Sequence, residues 1–466
     1  MSQTLVFNGV NAVTGDYGLP PMTPEQLAQF IQGRGAPKNL DELRRVRDEQ
    51  SRRVLGVGEG VDAADLAQAG WGVIFPAQAD PAIKDALRPL LDWRKAQAGD
   101  LFRIYEGPDG LRPGENRLAF IMRHQVGFGV VAPQRMPYYL LLAGDPAAIP
   151  FDFQYEMDLQ RAVGRIHFDR IQDYAAYAER VVAQEKSWPS LRKRAVFFST
   201  DHDAATQLTS EALVQPLSAG LQQALPGWDI ATHRGDEATK SRLIDLILDD
   251  STRPDLLFTA THGVEFPPGH PRQRREQGAL LCQDWPGPGR SAGPLTPDLY
   301  FSGADLPADA KLDGLIAFFF ACFSNGTPQV DDFSQWAFKD RAQALAPEPF
   351  LAHLPTRMLT QGALAVLGHV ERAWSFSFRW MGTAFPQTAT FENALKAILA
   401  GKPVGLAYEY FDSLYADYSV ALSQQLKLAE LEMPVDPVEL AGYWTASADA
   451  RNFTILGDPA VRLFRK

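Results

Sequence analysis

Short apolar runs alternate with helix-forming segments from Trp71 onward. WGVIFPA predicts a buried strand, and Asp80-Pro81 predicts a helix start, with a cap followed by proline at the first helical position. The helix should continue through AIKDALRPLLDWRKAQ and bend at Pro89, which has no N–H to donate. DLFRIYEG, PYYLLLAGDPAAIP and RAVGRIHF read as further strands, and Asp173 to Trp188 reads as a helix broken at Ser187-Trp188-Pro189-Ser190. The alternation then restarts. RAVFFSTD, GWDIATH, PDLLFTATHG, GLIAFFFACFS and GALAVLGHVE are strands, with helices over about 206–224 and 237–249. NFTILGDPAVRLF closes the chain as a last apolar strand. Strands alternating with helices imply an α/β fold whose mostly parallel sheets are flanked by helices on both faces.

Three parts follow from the punctuation: residues 1–70 as an N-terminal extension, 71–189 as a smaller α/β subdomain, and 190–466 as a second, larger α/β domain. In the extension, Asn39-Leu40-Asp41-Glu42 is a capping signature for a charged helix through about Arg53. Two segments, 264–278 and 284–298, are rich in Pro, Gly and charge and read as long loops. The tail after Pro403 should be helical to about Glu432, with breaks at Pro434 and Pro437.

Composition narrows the function. Hydrophobic residues make up 45% and charged residues 22%, so a chain of 466 residues can bury a sizeable core. Asp plus Glu exceeds Lys plus Arg by 56 to 45, a net charge of −11 that repels phosphate backbones and anionic lipid. Nucleic acid and membrane are therefore not expected partners. The start, MSQTLVFNGVNAVTGDYG, has no basic then apolar pattern, and no run approaches the ~18 apolar residues of a membrane span. With only Cys282 and Cys322, a cytoplasmic protein is expected.

The chemistry gathers at two strand ends. In an open parallel sheet, functional groups collect beyond the C-terminal ends of the strands. One apolar strand here delivers Thr261-His262-Gly263, and another delivers Ala321-Cys322. A free thiol, with pKa about 8.5, needs a neighbouring imidazole to act as a nucleophile at neutral pH. Gly263 carries no side chain, so its N–H and that of Cys322 can approach an oxyanion. The bland alternative is a buried cysteine serving as a small hydrophobe. A zinc site built from His262, His270, Cys282 and Cys322 has suitable atoms but no tight ligand spacing, and no EF-hand-like loop is present, so no metal or other cofactor is expected.

THG after one apolar strand and FFFACFSNGTP after another resemble the His-Gly and Ala-Cys signatures of the caspase-like cysteine peptidases. Within that group the chain is similar to the gingipain-type peptidases and the related CHAT-domain proteins. Further segments agree in order: VIFPAQADPAIKDALRPLLDWRK, YYLLLAGDPAAIP, RAVGRI and ILGDPAVRL, together spanning about residues 71 to 466. The resemblance implies a caspase-like catalytic domain over 190–466, with His262 as general acid/base, Cys322 as nucleophile, and a protein or peptide substrate. A basic P1 residue would need an acid in the pocket. Asp152, then Glu156 and Asp158, follow the Ile149-Pro150 strand end where the resemblance puts one, and Glu371 follows the LGHV strand end. Control is expected too, through a regulatory protein partner or self-cleavage near Arg272, Arg274 and Arg275. The alternatives are a catalytically silent scaffold, or a transpeptidase or amidase with the same dyad.

Overall fold

The computed structural model describes residues 9–19, 22–23, 25–26, 56–127, 129–188, 190–290, 293–331, 344–379 and 386–465. The helix expected to run through about Arg53 lies outside the described residues.

Seventeen strands occur among the described residues. The N-terminal half contributes Gly9–Asn11 (β1), Asp16–Tyr17 (β2), Trp71–Ile74 (β3), Phe102–Tyr105 (β4), Tyr139–Ala143 (β5) and Ala162–Ile166 (β6). Then come Arg194–Ser199 (β7), Asp229–Arg234 (β8), Leu256–Ala260 (β9), Gly263–Glu265 (β10), Leu280–Leu281 (β11) and Tyr300–Phe301 (β12). The last five are Ile316–Phe320 (β13), Gly326–Thr327 (β14), Phe350–Leu351 (β15), Ala365–His369 (β16) and Phe453–Gly457 (β17). Ten of them form one sheet in the order β4-β3-β5-β6-β17-β16-β13-β9-β7-β8. All its pairings are parallel except β16 with β17. Strands such as β13, IAFFF, are buried at every position because helices cover both faces of a parallel sheet. The strands read from the apolar runs of the sequence are these ten.

Residue 189 falls between β6 and β7, and β17 joins the two sides, hydrogen-bonded to β6 on one edge and β16 on the other. The join demands a glycine: a Cβ on Gly164 would stand 2.2 Å from the Gly457 carbonyl oxygen. A second sheet, β12-β11-β10-β1-β2, brings the N-terminal hairpin against the strand that begins at Gly263.

Two regions are more regular than their composition predicts. Within 264–278 lie β10 and a helical turn, Gln273–Glu276. Polar side chains organise it. Gln273 is buried and donates to the carbonyls of Phe266 at 3.2 Å and Leu345 at 2.6 Å, and Gln277 Oε1 accepts from the Phe266 N–H at 2.7 Å. Arg272 lies over the Phe266 ring. These contacts are non-local, so periodicity does not reveal them. In the tail, Val404–Glu430 is helical, but Pro437 opens a second helix, Pro437–Arg451, capped by Asp436. Proline fits that first turn because its missing N–H would have no partner there anyway.

Candidate active site

β9 and β13 run side by side and parallel, with Ala260 opposite Phe320. Both chains leave the sheet at the same edge, and His262 and Cys322 each stand two residues past that pair. The Thr261 N–H donates to the Phe320 carbonyl at 3.2 Å, which keeps the two exits together. Gly263 lies flush on the cysteine: a Cβ there would meet the Cys322 carbonyl oxygen at 1.9 Å. Only glycine allows this approach.

His262 is fully buried, and its Nε2 lies 2.7 Å from Asp203 Oδ2. Asp203 was not among the residues singled out from sequence. It follows the end of β7, next to β9 in the sheet, and caps the helix Ala204–Thr209. Its Oδ1 accepts from the Ala205 and Thr206 N–H groups, both at 3.0 Å. Burial opposes its charge, but His262, the backbone donors and Tyr17 outweigh burial and hold its carboxyl well below the usual range. An ionised Asp203 fixes the tautomer. Nε2 carries the proton toward Asp203, and Nδ1 keeps a lone pair. That Nδ1 is buried and has no hydrogen-bond partner among the described residues. The signal for Asp203 is present in the sequence: an Asp-x-x-Thr capping pattern directly after an apolar strand adjacent to the one that delivers His262.

Cys322 is also fully buried, and its Sγ accepts from the Ala373 N–H at 3.2 Å. Burial pushes its thiol pKa up strongly, a rise that the Ala373 N–H and Arg372 only partly offset. Cys282, the other cysteine, is buried and free, and burial raises its thiol pKa as well. The segment after β16 lies against Cys322. The Phe323 N–H donates to the Glu371 carbonyl at 2.6 Å, and Glu371 adopts φ 132°, a conformation side chains rarely take. Arg372 is buried among three carboxylates: Asp331 at 2.8 Å, Glu371 at 3.3 Å and Glu265 at 3.7 Å. Burial works against the Arg372 charge and these acids overcome it, so the guanidinium stays charged. The segment is anchored from behind by Asp449, whose carboxyl oxygens accept from the N–H groups of Trp374 at 2.8 Å and Ser377 at 3.2 Å.

The four acids considered for a basic substrate separate in space. Glu371 stands beside Cys322. Asp152, Glu156 and Asp158 share the helix Phe151–Asp158 instead. Asp152 is exposed and paired with Arg451 at 3.0 Å. Glu156 is half-buried. Asp158 is buried, accepts from the Val163 N–H at 3.1 Å, and has its pKa raised by burial. Among the described residues no group of three or more His, Cys, Asp or Glu is arranged to hold a metal ion, and no helix is long and apolar enough to cross a membrane. A cleft of about 760 Å³ opens among Asp145, His167, Arg274, Arg275, Phe350 and His353; neither His262 nor Cys322 lines it.

No family model matches the sequence, and no curated protein matches it. Solved structures do. A structure named as a protease is 14% identical with a TM-score of 0.47, covering 86% of this chain and 81% of that one. The Arg-specific cysteine proteinase gingipain R is 13% identical with a TM-score of 0.44, covering 84% and 78%. The separase–securin complex of Saccharomyces cerevisiae is 9% identical with a TM-score of 0.34, covering 94% of this chain and 23% of that one.

Proposed function

We propose that this chain is a cysteine endopeptidase of the caspase-like group, with Cys322 as nucleophile and His262 as general acid/base. The observation that carries the reading is the commitment of His262 Nε2 to an ionised Asp203, which leaves Nδ1 as the ring nitrogen available to exchange a proton. Nδ1 takes the thiol proton, and Sγ attacks the scissile carbonyl to form a C–S bond. The N–H groups of Gly263 and Cys322 are the donors for the resulting oxyanion. As the C–N bond breaks, the imidazolium returns its proton to the leaving amine. Water then hydrolyses the thioester with the same imidazole as base. Asp203 stays ionised throughout and favours the imidazolium.

The P1 residue is read as Arg or Lys. What supports this is the acid set near Cys322, where Glu265, Asp331 and Glu371 gather around Arg372. A substrate cation entering there would make charge-assisted contacts with carboxylates already in place. Glu371 is thus preferred over Asp152, whose partner is Arg451. Two free thiols suit a reducing compartment such as the cytoplasm.

A fluorogenic peptide panel varying only P1 tests the reading, alongside trapping with a chloromethyl ketone located by mass spectrometry. Cleavage after Arg or Lys with the adduct on Cys322 is expected. An adduct on Cys282, or cleavage after Asp or apolar residues, would reject the corresponding assignment.

A further inference from the structure

His262 and Cys322 both have 0% of their surface exposed. A peptide must reach both, so one of the elements packed around them has to move. Besides Asp203, three aromatic rings among the described residues stand around the His262 ring: Tyr17 at 6.1 Å, His202 at 6.4 Å and Trp285 at 5.9 Å between centroids. His202 and Trp285 belong to the interior of the chain and brace each other. Their rings meet at 5.0 Å, His202 Nε2 contacts the Cys282 carbonyl at 3.0 Å, and the backbone N–H of Trp285 donates to that same carbonyl at 3.1 Å.

Tyr17 is different. It lies on β2, the edge strand of the smaller sheet, in a hairpin that reaches the body of the protein through β1. β1 pairs with β10 over three residues, Gly9–Asn11 against Gly263–Glu265, and β2 pairs only with β1. Departure of the hairpin would break its β1–β10 pairing and the hydrogen bond that the Leu295 N–H donates to the Ala12 carbonyl at 2.7 Å, but no pairing of the ten-stranded sheet. Segments that open locally in this way are drawn from the low-stability end of a fold. Yet it is seated closely. Tyr17 hydrogen-bonds to Asp203, and burial raises its phenol pKa, so it remains a neutral donor. Gly18 lies flat on the acid set, where a Cβ would stand 2.0 Å from Glu265 Oε2. Tyr17, Leu19 and Met22 pack on the same core that contains Cys322, Phe323 and Trp374. In this closed arrangement the thiol is kept dry, which favours its uncharged, unreactive form.

We infer that residues 9–19 form a built-in lid: the β1–β2 hairpin closes the His262–Cys322 site through Tyr17 and Gly18, and its departure from the β10 edge admits the substrate. The lid rests on the reading of Cys322 as the nucleophile, but the two can fail separately. The self-cleavage expected near Arg272 is not needed for this control, since that segment is held by its own contacts and the hairpin supplies the restraint.

The test uses the full chain. Val10, the fully buried middle residue of β1, is changed to Asp in one variant, and Tyr17 to Ala in a second, milder one. Iodoacetamide labelling is then followed separately for Cys322 and Cys282 by mass spectrometry. Cys282 is equally buried but lies outside the lid, so it reports on unfolding of the body. Labelling of Cys322 should accelerate by about tenfold or more in both variants, with Cys282 as slow as in the wild type. Cys322 reacting at the wild-type rate in both variants would overturn the lid. A parallel rise at both thiols would overturn it too, because the hairpin would then be part of the core. Fast selective labelling of Cys322 without cleavage of any peptide in the P1 panel would leave the lid standing and remove the peptidase reading.

Discussion

Asp203 does two jobs with one carboxylate. Oδ1 caps a helix and Oδ2 faces His262, so the effects of its substitution can be separated. Asparagine caps helices about as well as aspartate, but it cannot stabilise an imidazolium. Asp203→Asn should therefore keep the fold while lowering kcat by about 10²-fold or more, as loss of the orienting carboxylate does in other base–nucleophile sites. The pH behaviour follows from the depressed pKa. A carboxyl lowered in the folded state adds stability above its unfolded pKa of about 3.9, and this is lost as pH falls through the folded value. The stability difference between wild type and Asp203→Asn should thus be largest near neutral pH and shrink in strong acid, which thermal melts across pH would show. Cys322→Ala should abolish hydrolysis at a cost of about 1 kcal/mol in stability, whereas Cys282→Ala should retain activity. Retention of wild-type cleavage by Cys322→Ala would end the dyad assignment. At this scale the sequence marks the positions that stand at the ends of apolar runs, as His262 and Cys322 do. It is uninformative about Tyr17, which reaches His262 through a pairing between residues 9–11 and 263–265 that no local pattern encodes.

Elements were legible in proportion to how local their causes are. β3, β5, β9, β13 and β16 are continuous apolar runs and can be read directly. The segment after β16 is not, because its conformation is imposed from the far end of the chain. Asp449, on the helix Pro437–Arg451, holds the N–H groups of Trp374 and Ser377. Its partner across the gap is His369, whose Nε2 lies 3.6 Å away and whose pKa is lowered by burial to about 3, so the imidazole is neutral. Burial raises the Asp449 pKa to about 8, more than its backbone donors lower it. Between about pH 4 and pH 8 the folded protein then holds a proton on Asp449 that the unfolded chain has released. With the native state binding the extra proton, stability must fall as pH rises through that window. Asp449→Asn removes this contribution and keeps an acceptor for the backbone. Comparing unfolding midpoints in urea for both proteins at several pH values should show the wild type losing more stability between pH 5 and pH 8. Equal losses would mean that Asp449 is ionised throughout.

Across the whole molecule, the two halves suggested by the punctuation at Ser187–Ser190 share one ten-stranded sheet and one continuous buried core running from Leu66 to Leu463. A linear reading cannot show this, because the final strand returns to lie between β6 and β16. The return is locked by charge. Asp458, just past β17, accepts from Arg94 Nε at 2.7 Å and from Trp71 Nε1 at 2.9 Å, and its own N–H donates to Tyr177 Oη at 2.6 Å. Arg94 also makes a two-pronged pair with Glu185, both contacts at 2.6 Å. Burial opposes the Arg94 charge, and the two acids overcome it. Removing the arginine would strand two buried carboxylates, a change that costs about 3–5 kcal/mol when one partner of a buried pair is lost. Because Arg94 lies in the first half and Asp458 in the second, the loss should be felt by the whole sheet. Arg94→Ala is expected to shift one cooperative thermal transition to lower temperature, with heat capacity, far-ultraviolet circular dichroism and tryptophan fluorescence moving together. An early transition confined to residues 71–189, with the rest melting at the wild-type temperature, would show instead that β17 is only a contact between independently stable halves.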